Sequence, residues 1–149
     1  MLLVLGACQS VPIPAQVQQL SIIEAVEIAH GAGFACTGQL LSAVAIAVAE
    51  SSLRTGATND HSEYGPRDNG SVHHDRGVWQ VSSYWWPEYS DEDMADPRKS
   101  ARAAYEISQG GTDFSPWDSW DNGNAQRHFD EAFDGWPALR PVIMEFCLG

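Results

Sequence analysis

Thr37-Gly38-Gln39-Leu40-Leu41-Ser42-Ala43-Val44-Ala45-Ile46-Ala47-Val48-Ala49-Glu50-Ser51-Ser52 is the stretch that decides the fold. Thr37 is a residue type that caps helix N-termini. Beyond it Leu40, Leu41, Val44, Ile46, Ala47 and Val48 fall on nearly every side of a helical projection. A helix apolar all round belongs at the centre of a fold. The pattern predicts such a helix from after Thr37 to about Leu53.

Upstream, Leu20, Ile23, Val26 and Ile28 form an apolar stripe that predicts a helix over about 17–30, stopped by Gly31 and Gly33. Residues 9–16 contain Pro12 and Pro14 and read as an extended leader. The expected organisation is a leader or lipoprotein-like segment at 1–16 and a single domain at 17–149. Downstream, 54–76 is loop-like, with Asn59-Asp60, Gly65-Pro66 and Asp68-Asn69-Gly70, and predicts a β-hairpin or irregular flap. Asp96 as N-cap and Pro97 at the first helical position start a further helix that ends at Gly110-Gly111. Two short helices fit about 124–134 and 137–147. The fold class is α+β, mainly α.

At 149 residues, one domain is expected. An apolar fraction of 44% excludes disordered, collagen-like and coiled-coil chains. No apolar run approaches the roughly 18–20 residues that a membrane helix needs. Lys plus Arg number 8 against 20 Asp plus Glu, a net charge of −12, which disfavours nucleic-acid binding. The first 53 residues hold Glu24, Glu27 and Glu50 and no Lys or Arg, whereas 60–96 sets many acids against Arg67 and Arg76. That contrast suggests a buried helical start followed by solvated loops. A monomer without cofactor is expected.

Glu50 is the candidate catalytic residue. A carboxylate carried to the end of an apolar helix loses hydration, which raises its pKa. A carboxyl that keeps its proton near neutral pH can protonate the leaving oxygen of a glycoside. Six Trp is high for this length. Sugar rings stack their C–H faces on aromatic planes, and Tyr84, Trp85, Trp86 and Tyr89 form one cluster.

Glu50-Ser51-Ser52, Gly77-Val78-Trp79-Gln80-Val81 and Phe114-Ser115-Pro116-Trp117-Asp118-Ser119-Trp120-Asp121-Asn122-Gly123 occur in that order. Together they resemble the signature motifs of the lysozyme-like superfamily of goose-type lysozymes and lytic transglycosylases, in its actinobacterial and phage branch. Asp75-Arg76-Gly77, Trp86-Pro87-Glu88 and Ala103–Gly111 look like that branch too, so the resemblance spans residues 36–124. It implies a lysozyme-like domain that cleaves the β-1,4 bond between N-acetylmuramic acid and N-acetylglucosamine in peptidoglycan, bacteriolytic, secreted or carried by a phage. Glu50 matches the acid, and Ser51 the serine that positions substrate or acid. Trp79 and Gln80 match the cleft wall. Tyr84, Trp85, Trp117, Trp120, Asp121 and Asn122 are the other expected substrate contacts. The Tyr-Asn of the third motif stands here as Trp120-Asp121, so no phenolic hydroxyl carries over to position 120.

A second carboxylate decides the product. An inverting hydrolase holds a base about 6.5–9.5 Å from the acid with a water between. Relatives without one let the muramic acid's own hydroxyl attack and release a 1,6-anhydro sugar. Glu63 and Asp75 are the candidate bases, at separations similar to the goose-type second acids. The alternative for Asp75 is an ion pair with Arg76 or Arg67.

Leu5-Gly6-Ala7-Cys8 resembles the lipobox of bacterial lipoproteins, which implies a lipid anchor at Cys8, although a basic n-region and a longer apolar stretch are missing. Cys36 and Cys147 then form either one disulfide or two buried thiols.

His61, His73, His74 and Asp75 lack the helical His spacing or Cys partners of a zinc site, and no metal is expected. Two rival readings remain. Phe34-Ala35-Cys36-Thr37-Gly38 faintly resembles the nucleophile segment of cell-wall cysteine peptidases, with His73 or His74 as base, but Ala35 stands where an Asp belongs. The other is a non-catalytic wall-binding or phage structural module that kept the cleft.

Overall fold

The computed structural model describes residues 18–149, so the leader and the proposed anchor at Cys8 lie outside the described residues. The elements follow as α1 (Ile22–Ala32), α2 (Gly38–Ser51), β1 (Thr58–Pro66), β2 (Val72–Arg76), β3 (Val81–Ser82), α3 (Asp91–Ala95), α4 (Pro97–Ile107), α5 (Asp118–Asp121) and α6 (Leu139–Leu148). This is the expected mainly helical α+β fold.

α2 is the central helix. Thr37 caps it by accepting from the Gln39 N–H, and every side chain from Leu40 to Val48 is buried. α1 and α6 pack against it, and α4 packs on α1. α1 starts at Ile22, later than the apolar stripe suggests, because Ser21 and Glu24 close a capping box. Asp96 accepts from the Arg98 and Lys99 N–H groups and Pro97 occupies the first helical position of α4. Cys36, just before α2, is bonded to Cys147 in the last turn of α6, with Cα atoms 5.7 Å apart. The buried-thiol alternative is thereby excluded. So is a Cys36 nucleophile, whose sulfur is already bonded.

Residues 58–82 form a three-stranded antiparallel sheet in the order β1-β2-β3. Thr58 pairs with Arg76, Asn59 with Asp75 and His61 with His73, and the register then slips before Pro66 meets Val72. The β1–β2 turn is closed by Arg67 and Ser71, with Gly70 at φ +81°. The sheet is fastened to the helices at Gly77. Its φ is +78°, and a Cβ there would lie 2.0 Å from the Met94 carbonyl oxygen.

The helix expected over 124–134 is absent. Only a single 3-10 turn, Gln126–His128, forms there. Phe133 and Trp136 instead exchange both backbone hydrogen bonds around Asp134-Gly135, both at positive φ, which is a tight hairpin turn.

Candidate active site

Glu50 owes its position to the residues beside it. α2 ends because Ser52 and Leu53 both adopt positive φ, at 53° and 61°, and Leu53 is buried by the reversal. The Ser51 hydroxyl donates to the Val78 carbonyl at 2.7 Å, with the Ala47 carbonyl at 3.1 Å. The end of the helix is thus riveted to the Gly77–Val81 loop. Trp79 continues the same fastening. Its indole N–H donates to the Ala43 carbonyl inside α2 at 2.9 Å, and its own carbonyl accepts from the Trp117 indole at 2.7 Å. Gln80 follows at φ 49°, an uncommon conformation for a residue with a side chain. Its amide donates to the Ala57 and Gly77 carbonyls.

These elements enclose a cavity of about 330 Å³. Glu50, Gln80, Trp117 and Asp118 line the helical side, and His61, Tyr64, Asp75, Trp85 and Trp86 line the sheet side. Glu50 is half-buried. Burial raises its pKa above the ordinary carboxyl value. The Ser119 hydroxyl and N–H approach and pull it partly back, without closing to full hydrogen bonds, while Asp75 and Asp118 push it up again. The Ser119 hydroxyl is itself buried without a partner.

The sheet wall is built differently. Asn59 faces Asp75 across β1–β2, and His61 lies two residues along β1, so His61 and Asp75 are diagonal neighbours on one face. The His61 ring sits between two carboxylates, with Nε2 2.8 Å from Asp75 Oδ2 and Nδ1 2.6 Å from Glu63 Oε1. Those two bonds raise the His61 pKa. The Glu63 pKa is lowered, first by its own backbone N–H and then by His61. The register slip after His61 brings Tyr64 to the cavity as well, where it stacks on Tyr84 with ring centroids 4.4 Å apart. Trp85, 63% exposed, meets Tyr84 edge to face.

The expected site residues divide accordingly. Glu50, Asp75, Gln80, Trp85 and Trp117 meet at the cavity, and Tyr84 backs its wall. Trp79 does not line it: its side chain is 1% exposed and belongs to the core. Ser51 is buried, and its hydroxyl holds the chain that carries Glu50. Glu63 lies outside the cavity lining with its side chain 60% exposed. Trp120 packs between Phe114 and Phe129, and Asp121 and Asn122 are exposed beyond the cavity. Asp75 pairs with neither Arg67 nor Arg76. Both arginines bond Asp91 instead, at 2.8 and 3.0 Å. His61, Tyr64 and Asp118 are cavity residues that the motif reading did not assign. The signal for Asp118 lay inside the third motif, and that for His61 was its place two residues from Asn59 on a predicted hairpin.

No curated protein and no solved structure matches the chain. A family model does: the one described as "Lysozyme like domain" matches residues 26–119, from the middle of α1 to the segment beside the cavity that holds Trp117 and Asp118. With most of its length and all of the cavity's walls inside that match, the chain belongs to the lysozyme-like domain family.

Proposed function

We propose that this domain cleaves the β-1,4 bond between N-acetylmuramic acid and N-acetylglucosamine in peptidoglycan, outside the cytoplasm or from a phage particle, with Glu50 as general acid and Asp75 as general base. The observation that carries the reading is the state of Glu50. A half-buried carboxyl whose pKa is raised by burial holds its proton to higher pH than a free carboxyl does. Such a proton is available to a glycosidic oxygen entering the cavity. Asp75 stands on the sheet wall of the same cavity, where it would take a proton from water attacking the opposite face of the sugar. The negative charges of Asp75 and Asp118 favour the oxocarbenium-like charge that develops as the bond breaks. Trp85 offers an exposed plane on which a sugar ring can stack.

Glu63 is set aside as the base because its side chain lies outside the cavity lining and is mostly exposed, whereas Asp75 lines the cavity. The test is mass spectrometry of muropeptides released from purified sacculi. Plain reducing ends are expected. A 1,6-anhydro product, lighter by one water, would make the chain a lytic transglycosylase and remove Asp75 from the mechanism. Binding to sacculi without release of either end would make it a wall-binding module.

A further inference from the structure

We propose that His61 is a positioning residue: its imidazolium, clamped between Glu63 and Asp75, holds the Asp75 carboxylate in the orientation that activates water. The proposal rests on the glycosidase reading above and adds to it a residue on the sheet wall with a defined task.

The argument begins with donors and acceptors. A neutral imidazole has one N–H and one bare nitrogen, whereas the imidazolium has two N–H groups. His61 places both nitrogens against carboxylate oxygens, at 2.6 and 2.8 Å. With both carboxylates ionised, a bare nitrogen at either place would set one lone pair against another, so both contacts are satisfied together only by the charged ring. This differs from an ordinary surface pair, which engages one partner and contributes little. The ring also lines the cavity, with the Tyr64 ring 5.4 Å away. With Oδ2 of Asp75 occupied by His61, Oδ1 is the oxygen left for water.

The charged and titratable groups around the ring come from three sides. Glu63, Tyr64 and the Asn59 amide lie on β1, and Asp75 and the register partner His73 on β2. Glu50 and Asp118 look across from α2 and α5. The acids outnumber every other group there, which favours the proton on the ring. As pH rises through the elevated pKa of His61, one N–H is lost and with it one of the two bonds, so the hold on Asp75 loosens.

The experiment joins nitrogen-detected NMR of the histidine rings with steady-state kinetics on sacculi. In the wild-type chain His61 is expected to show two protonated ring nitrogens at pH 6 and to titrate above a free histidine. Glu63→Gln should lower that titration without removing His61. His61→Phe should reduce kcat about tenfold to a hundredfold, the scale of a misplaced reacting group, with KM changed less than threefold. His61→Gln, which keeps a donor toward Asp75 but no charge, should recover part of the loss and flatten its pH dependence. Circular dichroism melts confirm that each variant is folded, and Glu63→Gln supplies the reading if His61→Phe is not. A neutral His61 ring at pH 6 would overturn the proposal. So would wild-type kcat in a folded His61→Phe variant while Glu50→Gln is inactive, and that pattern leaves the glycosidase reading standing. Full activity in Glu50→Gln would instead overturn the reading of Glu50, whatever His61 does.

Discussion

The two walls of the cavity are made by opposite means. The helical wall holds Glu50 through apolar burial: α2 is buried from Leu40 to Val48, and its end is pinned by Ser51 and by the Trp79 and Trp117 indoles. The sheet wall holds Asp75 through charge and aromatic contact, with Glu63, His61, Tyr64, Tyr84 and Trp85 partly or fully solvated. One wall withholds water from a carboxyl, which raises its pKa. The other sets an imidazole in hydrogen-bond contact with a carboxylate. Acid and base chemistry in one cavity requires that difference between environments.

Four variants probe the contrast. Glu50→Gln is expected to have the largest effect, a loss of about 10²- to 10⁴-fold in turnover measured by muropeptide release. The same variant should melt at a higher temperature at pH 7. The folded pKa of Glu50 lies above its unfolded value, so stability is lost as pH rises above the unfolded pKa, and the full cost is reached once pH exceeds the folded pKa. That cost vanishes well below the unfolded pKa of about 4.3, where both states are protonated, so the melting gain should disappear at about pH 3. Trp79→Ala, on the same wall, should cost about 3–5 kcal/mol in denaturant unfolding, from a cavity in the core. It should also slow turnover, because Trp79 fastens both α2 and Trp117.

Replacing Cys36 and Cys147 by Ser should cost about 2–5 kcal/mol, seen as a lower denaturant midpoint. Turnover below that midpoint should stay near the wild-type value, since neither sulfur lines the cavity. Trp85→Ala, on the sheet wall, should change stability by no more than about 0.5 kcal/mol. Its effect should appear as a higher KM on soluble glycan fragments. A Trp85→Ala variant that unfolds, or a Trp79→Ala variant as stable as wild type, would erase the distinction between the walls.

Much of the helical wall was legible in the sequence because its signals are local. Thr37 before an all-apolar run and Asp96-Pro97 at the start of α4 each specify their element within a few residues. The three motifs placed Glu50, Gln80 and Trp117 at one site. The sheet wall was less legible because its contacts cross strands. Asp75 and Arg76 are sequence neighbours, and pairing them looks natural, but adjacent strand residues point to opposite faces. Arg76 is therefore buried against the Val81 carbonyl and Asp91, and Asp75 meets His61 instead. His61 and Tyr64 would face opposite sides of a regular strand, and only the register slip between them lets both reach the cavity. The helix expected over 124–134 failed for a local reason: Asp134-Gly135 is a turn signal, and it outweighed a weak apolar pattern.

The arrangement of indoles also equips the molecule to report on its own state. Trp79 and Trp117 lie in dry surroundings with their N–H groups engaged, whereas Trp85 stands mostly in water beside the cavity. Emission from the buried pair should move to longer wavelength only when the core opens. Trp85 should shift to shorter wavelength, and resist acrylamide quenching, when a saccharide covers it. One spectrum can therefore separate loss of fold from occupation of the cleft.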